Sequence, residues 1–155
     1  MSAADTRFIK KAAQGGMAEV ELGQLAQQKA SSEEVKKFGE RMVTDHSKAN
    51  DQLKQVAAEE HVDLPQQLNA KDKATKARLE KLSGQEFDQA YMKDMVKDHK
   101  TDVGEFEHES KAAKDPAVKN FASQTLPVLQ SHLREAEKIA PMQKAAGSST
   151  KPSGQ

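Results

Sequence analysis

The sequence predicts an all-α fold, a ferritin-like four-helix bundle whose two halves are joined by a long crossover containing one short helix. Apolar residues recur at steps of three and four, which is the spacing of one face of a helix. Prolines stand only at positions 65, 116, 127, 141 and 152, so long segments are free of them. Residues 62–83 separate two pairs of long helical segments. Two helical hairpins joined by one long connection are the ferritin-like arrangement, whereas an up-and-down bundle needs only short links.

The first two long helices are predicted to form one hairpin. The first runs from Asp5, taken as its N-cap, to about Ala30. The second begins at one of the serines at positions 31 and 32 and continues to about His61. Glu34 lies three residues after the first of these serines, which is the capping-box spacing at a helix start. The short link between the two helices favours an antiparallel pair.

The second pair of long helices follows the crossover. The crossover is rich in turn-forming residues and contains one short helix from Ala70 to Leu82. A long helix is then predicted from about Gln85 to Ala113. Asp115 followed by Pro116 is the favoured order of an N-cap and a first helical residue, so the last helix is expected to begin there.

The end of the chain differs in composition from the rest. Pro141 is expected to end the last helix after Ala140, because proline lacks the amide donor that a helix interior needs. Residues 147–155 are rich in glycine, serine and proline, which is typical of a disordered terminus. The predicted organisation is a helical bundle at residues 5–140 followed by a disordered tail at residues 141–155.

The composition excludes several classes of function. Lys+Arg and Asp+Glu both number 24, and this neutral balance argues against a nucleic-acid partner and an anionic membrane surface. The absence of cysteine excludes disulfides, thiolate metal sites and cysteine nucleophiles. No run of about 18 apolar residues occurs, so no membrane-spanning helix is expected. The N-terminus also lacks the apolar centre of a signal peptide. A mature form whose signal peptide had been removed would look the same, so export stays open.

Two stretches of the chain repeat the pattern M-V-x-D-H, one ending at His46 and the other at His99. Each histidine falls on the apolar stripe in the middle of a long helix, where an ionisable group is costly unless it is paired or bound. Glu19 takes a similar place on the first long helix, whereas His132 lies on the stripe of the last helix, closer to its C-terminus than to its centre. Each long helix thus supplies one ionisable side chain on its inward stripe, and we expect the four to converge.

Three imidazoles and one carboxylate would suit zinc, iron or manganese. Asp45 and Asp98 each precede a histidine, and each would either complete the ligand set, orient an imidazole, or stay a solvated surface charge. Met42 and Met95 stand four residues before the same histidines, and thioether with imidazole would suit Cu(I) or Ag(I). Methionines at such positions are also common core fillers.

No motif of an enzyme is recognisable in the chain. The residues three positions before the histidines are Val43, Val96 and Leu129, so the Glu-x-x-His pairs of di-iron carboxylate proteins are absent and a ferroxidase centre is not expected. The chain also lacks a nucleophile-elbow motif, a phosphate-binding loop and the H-E-x-x-H pattern of zinc proteases. The sequence therefore gives no positive sign of an enzyme, and an oxidoreductase that uses a redox metal at the histidines is left as a further interpretation.

Four blocks of the chain resemble a bacterial family. They are FIKKAAQGGMAEVELG at residues 8–23, FGERMVTDH at 38–46, GQEFDQAY at 84–91 and LPVLQSHL at 126–133. In this order they are similar to the family called domain of unknown function 4142, over about residues 5–140. The resemblance implies a ferritin-like fold and an exported, periplasmic location, and it implies no settled activity. It also matches Glu19, Asp45, His46, His99 and His132 to the characteristic polar positions of that family.

Two hypotheses of different kinds follow from these residues. The first is a soluble exported bundle that binds a transition metal through Glu19 and the three histidines, for metal handling or stress tolerance. The second is a metal-free structural or interaction module with a buried histidine–carboxylate network, acting through its surface or by self-association. The measured metal content of the protein would separate them.

Overall fold

The structure, a computed structural model, describes the backbone of residues 1–150 and the side chains of residues 1–143. Its helices are α1 (Ala3–Lys29), α2 (Glu33–Glu59), α3 (Ala70–Glu80), α4 (Gly84–Ala112) and α5 (Pro116–Thr150). The described residues contain no strand. The predicted all-α fold class is confirmed. None of the helices within the described residues is long and apolar enough to cross a membrane.

Helices α1 and α2 form one antiparallel hairpin, and helices α4 and α5 form a second. Asp5, at the start of α1, reaches the link between α4 and α5, and Asp88, at the start of α4, reaches the link between α1 and α2. Helix α1 therefore runs antiparallel to α4, and α2 runs parallel to α4. A parallel α2 and α4 require a connection along the whole bundle, which residues 60–83 with helix α3 provide.

Asp5 does not cap the first helix, so that prediction is wrong. Helix α1 begins earlier, and the Ser2 hydroxyl accepts a hydrogen bond from the backbone N–H of Asp5. The Asp5 carboxylate instead accepts from the backbone N–H groups of Lys114 and Asp115 in the α4–α5 link, at 3.1 and 2.8 Å. A single carboxylate thus satisfies amides that the end of one helix and the start of the next leave without a helical partner.

Asp88 plays the same part at the opposite end of the bundle. It is buried, and its carboxylate accepts from the backbone N–H groups of Ser31 and Ser32 and from the Ser31 hydroxyl, at 2.7–3.1 Å. The N-cap of α2 is Ser32, whose hydroxyl accepts from the backbone N–H of Val35. Each hairpin link is therefore held by an aspartate from the other hairpin.

Helix α5 continues beyond Pro141 to Thr150, so the prediction that it ends at Pro141 is wrong. The continued turn is held against the other hairpin, because the buried Gln143 side chain donates to the Ser32 hydroxyl at 3.3 Å. The Gln89 side chain also donates to the Gln143 carbonyl at 3.2 Å. Residues 151–155 of the predicted tail lie outside the described residues, and the division into a bundle and a disordered tail stays a prediction.

The apolar core is divided into two clusters along the bundle axis. Cluster 1 lies at the end with the α1–α2 link and includes Leu22, Phe38, Phe87, Tyr91 and Ile139. Cluster 2 lies at the end with the α4–α5 link and includes Phe8, Ile9, Leu53, Phe106 and Phe121. On every long helix the sequence passes from one cluster to the other through the predicted polar residue: Glu19, His46, His99 or His132. The polar residues therefore form a layer between two apolar halves.

Helices α1 and α2 touch backbone to backbone where Gly23 faces Gly39. A methyl group added at Gly39 would lie 2.8 Å from the Gly23 carbonyl oxygen, whereas one added at Gly15 would meet nothing within 4 Å.

The Gly39→Ala variant is therefore expected to lose about 1–2 kcal/mol of unfolding free energy, since overpacking exceeds the gain in helix propensity. The matched Gly15→Ala variant should gain up to about 1 kcal/mol. Urea unfolding would measure both, and equal stabilisation of the two variants would contradict the close approach.

Candidate metal centre

The three predicted histidines meet in the polar layer. His46 comes from α2, His99 from α4 and His132 from α5, and all three are buried. Their ring centroids are 5.2 Å apart for His46 and His132, 5.3 Å for His99 and His132, and 5.8 Å for His46 and His99. One ring nitrogen of each histidine lies within 4.8 Å of those of the other two. The expected convergence therefore holds for the imidazoles.

Hydrogen bonds fix the proton on two of these rings. Nδ1 of His99 lies 2.9 Å from the Met95 carbonyl oxygen, and Nε2 of His132 lies 2.7 Å from Oδ2 of Asp45. Carbonyl and carboxylate oxygens only accept, so each of these nitrogens carries the hydrogen in the neutral ring. The lone pair is then left on Nε2 of His99 and on Nδ1 of His132. This is how metal-binding histidines are commonly oriented.

The remaining nitrogens have no partner. Nε2 of His46, Nε2 of His99 and Nδ1 of His132 are buried and form no hydrogen bond within the described part of the chain. A buried polar atom without a partner costs about 1–3 kcal/mol of stability, and native proteins contain few of them. Three such atoms on imidazoles whose ring centroids lie 5.2–5.8 Å apart could hold a metal ion.

Burial keeps the three imidazoles neutral. It lowers the pKa of His99 to about 4, with a further contribution from the neighbouring His132. Burial, His99 and His132 together hold the pKa of His46 well below its ordinary value. The pKa of His132 is also lowered by burial, although the hydrogen bond from its ring to Asp45 opposes the shift. A neutral imidazole is the form that binds a metal ion.

Asp45 belongs to a polar seam between α2 and α5. Besides His132 it accepts from Nε of Arg41 at 3.3 Å. The Arg41 guanidinium also forms an ion pair with Glu135 and donates to the Ser131 hydroxyl at 2.8 Å. Of the alternatives for Asp45, the geometry supports the one in which it orients an imidazole by accepting a second N–H. The arginine holds the carboxylate in place for that contact.

Glu19 and Asp98 lie on the other side of the His99 ring. Oε2 of Glu19 is 3.8 Å from Nδ1 of His99, the nitrogen that donates to Met95. Glu19, Asp98 and Asp102 line one groove. Burial and the charges of Asp98 and Asp102 raise the pKa of Glu19 well above its ordinary value. Burial, with Asp94 as the next contributor, raises the pKa of Asp98 to about 6.

Residues 1–139 match the family described as Domain of unknown function (DUF4142). The chain belongs to this family. No curated protein shows significant similarity to it. A solved structure, "Crystal structure of DUF305 fragment from Deinococcus radiodurans", is similar with a TM-score of 0.79 and 13% sequence identity. The similarity covers 91% of this chain and 97% of that one, and at this identity it concerns the fold alone.

The DUF4142 bundle places the two methionines of the M-V-x-D-H repeats away from solvent. Met42 and Met95 are both fully buried among the side chains of cluster 1. Met95 contributes its backbone carbonyl to the orientation of His99. The soft-metal interpretation of the two thioethers stays a prediction.

Three polar residues of the DUF4142 bundle were not predicted from the sequence as residues of the site. Asp102 lies one helical turn after Asp98, and burial with the charge of Asp98 raises its pKa to about 7. The Tyr91 hydroxyl is buried without a hydrogen-bond partner among the described residues, and its pKa is raised by burial and by Glu19. Arg41 supports Asp45. The i,i+4 spacing of Asp98 and Asp102 could have been recognised in the sequence, because it places both carboxylates on one face of a helix. The sequence does not indicate where the Tyr91 hydroxyl and the Arg41 guanidinium point.

Proposed function

We propose that this DUF4142 protein binds one transition-metal ion through His46, His99 and His132. The observation that carries the proposal is the convergence of three buried imidazoles, which offer ring nitrogens within 4.8 Å of one another and each contain one nitrogen without a hydrogen-bond partner. Asp45 and the Met95 carbonyl support it, because they hold the protons of two rings on the outer nitrogens. The proposed metal is zinc, iron or manganese, and copper suits the set less well because the thioethers lie in the apolar core.

The donor set determines what the site can do. Three imidazoles are the protein ligands of a well-known type of zinc centre that keeps a fourth position for water or another molecule. At zinc–nitrogen distances of about 2.0–2.1 Å, the nitrogens of a tetrahedral site stand about 3.4 Å apart. Because the present separations are within 4.8 Å, the nitrogens would have to draw together by at most about 1.4 Å on binding.

The cellular role that we propose is metal handling or stress tolerance in an exported, periplasmic location. The lack of cysteine is compatible with an oxidising compartment, since the fold needs no thiol. The neutral overall charge gives no reason to expect nucleic acid as a partner. An enzymatic activity is not proposed.

Elemental analysis of protein purified without an affinity tag tests the proposal. We expect about one equivalent of a transition metal after titration with Zn²⁺, Fe²⁺ or Mn²⁺ and removal of the unbound ion. Less than about a tenth of an equivalent of every metal would refute the metal site.

A metal-free structural module is the second candidate, and the seam of Arg41, Asp45 and His132 favours it. In that case the imidazoles would act only as members of a hydrogen-bonded network between α2 and α5. The double variant His46→Leu, His99→Leu separates the two functions. Unchanged metal content with a lower melting temperature would support the structural module, whereas loss of bound metal would support the metal site.

The metal affinity is expected to change little with pH in the weakly acid range. Since the pKa of His99 lies at about 4 and those of His46 and His132 are lowered too, protons compete for the rings only at lower pH than usual. Between pH 7 and pH 6 the dissociation constant should rise less than about threefold, whereas three ordinary histidines would lose about thirtyfold. Zinc titration in non-coordinating buffers measures the change, and a rise of about tenfold or more would contradict the expected burial.

A further inference from the structure

A second polar site lies in the groove between α1, α3 and α4, on the far side of His99 from the three free nitrogens. The groove encloses about 320 Å³ and is lined by five carboxylates, of which Asp94 is paired with Arg78. The other four are Glu19 from α1, Asp72 from α3, and Asp98 and Asp102 from α4. Asp98 and Asp102 are one turn apart, so both face the same side of α4.

Within the described residues, no lysine or arginine forms an ion pair with any of these four carboxylates. The basic group near them is Nδ1 of His99, 3.8 Å from Oε2 of Glu19, and burial lowers the pKa of that ring to about 4. Two cations on the groove wall are already paired, Lys11 with Glu105 and Arg78 with Asp94. Lys71 and Lys97 complete the basic residues of the wall, and both are exposed. Negative charge in the groove therefore exceeds what the protein itself compensates.

Glu19 shows that the groove needs a further component. Its side chain is 4% exposed, and Oε2 is buried without a hydrogen-bond partner in the described structure. Asp98 and Asp102 line the same groove. A carboxylate only accepts hydrogen bonds, so a buried one without a donor is favourable only with a proton or a bound cation.

We propose that Glu19, Asp98 and Asp102 bind a divalent cation of the hard class, such as Mn²⁺, Ca²⁺ or Mg²⁺, with Asp72 closing the site from α3. Oxygen-only ligands suit these ions, whereas the three imidazoles suit zinc and its neighbours. The ring of His99 would lie between the two sites, because one edge of it faces Glu19 and the other faces His46 and His132. The carboxylate site requires none of the free imidazole nitrogens, so it does not depend on the transition-metal site.

Titration of the full chain with Mn²⁺, followed by electron paramagnetic resonance and by competition with Ca²⁺, tests the second site. Because the histidine site is also expected to take Mn²⁺, the titration is done in the His46→Ala, His132→Ala background. There we expect saturable binding of Mn²⁺, and binding at least about tenfold weaker when Asp98→Asn or Asp102→Asn is added. The matched control Asp51→Asn, on an exposed position of α2, should bind like the background variant.

Thermal unfolding gives a second measurement that does not depend on the spectroscopic signal. Without added cation, Asp98→Asn and Asp102→Asn should melt at or above the temperature of the unaltered protein, because each removes a repelling charge. With Mn²⁺, in the His46→Ala, His132→Ala background, only the protein with all its carboxylates and the Asp51→Asn control should gain melting temperature. A proton on Glu19 in place of a cation would give no saturable Mn²⁺ or Ca²⁺ binding and no cation-dependent melting in that background, and that result would overturn the proposal.

Discussion

The His132→Ala variant is expected to bind zinc at least about 100-fold more weakly than the unaltered protein. The change removes one of three ligand nitrogens, and the two that remain, on His46 and His99, cannot enclose the ion. The Asp45→Ala variant should bind about 10–100-fold more weakly, because it removes only the carboxylate that fixes the proton of His132. Loss of the ligand His132 is therefore expected to weaken zinc binding more than loss of the orienting carboxylate Asp45. Competition with a chromophoric chelator at neutral pH measures both affinities.

An exposed histidine supplies the matched control for this series. His108 lies on the surface of α4, and its replacement by alanine should leave zinc affinity unchanged. Circular dichroism before titration shows that each variant is folded, and His132→Gln keeps more of the side-chain volume if alanine loosens the core. Equal affinities of His132→Ala and His108→Ala would mean that zinc binds elsewhere.

The Asp88→Ala variant is expected to lose about 2–4 kcal/mol of unfolding free energy. The Asp88 carboxylate is 1% exposed and accepts three hydrogen bonds from Ser31 and Ser32, and its removal leaves two backbone amides in the α1–α2 link without that acceptor. Breaking hydrogen bonds to a buried charged group costs about 1.5–3 kcal/mol each, and water at the partly exposed link recovers part of the loss. Denaturant unfolding measures the change.

Two further aspartates make this experiment specific. Asp5→Ala should be destabilising for the same reason, since Asp5 accepts from the amides of Lys114 and Asp115 in the other link. Asp51→Ala, on the exposed face of α2, should alter stability by no more than about 0.5 kcal/mol. If Asp88→Ala were as stable as Asp51→Ala, the carboxylate would not hold the link.

The helices and the meeting of the histidines could be predicted because both depend on local periodicity. A stripe of apolar residues at helical spacing fixes which face of each helix points inward, and His46, His99 and His132 each lie mid-helix on that stripe. Four such helices around one core bring side chains at similar heights together. The start of α5 could also be predicted from neighbouring residues, because Asp115 accepts hydrogen bonds from the amides of Ala117 and Val118 as an N-cap does.

The remaining parts of the site depend on contacts distant in the sequence. The helical repeat places Asp45 beside the inward stripe, but only the packing of α5 against α2 brings it to His132, 87 residues away. Asp5 reads as an ordinary N-cap, and its contact with a link 110 residues later has no local signal. The grouping of Glu19 with Asp98 and Asp102 requires the rotation of α1 relative to α4, which the apolar pattern defines only coarsely.

The position of the polar layer between the two apolar halves gives a bound ion a mechanical role. His46 belongs to the first hairpin, whereas His99 and His132 belong to the second, so one ion would cross-link the hairpins at the waist of the molecule. Ion binding and hairpin docking would then be thermodynamically linked. At an ion concentration of about 1,000 times the dissociation constant, this linkage would add about 4 kcal/mol to the stability of the assembled bundle. The two hairpins would be held together more strongly at high metal concentration and more weakly at low metal concentration.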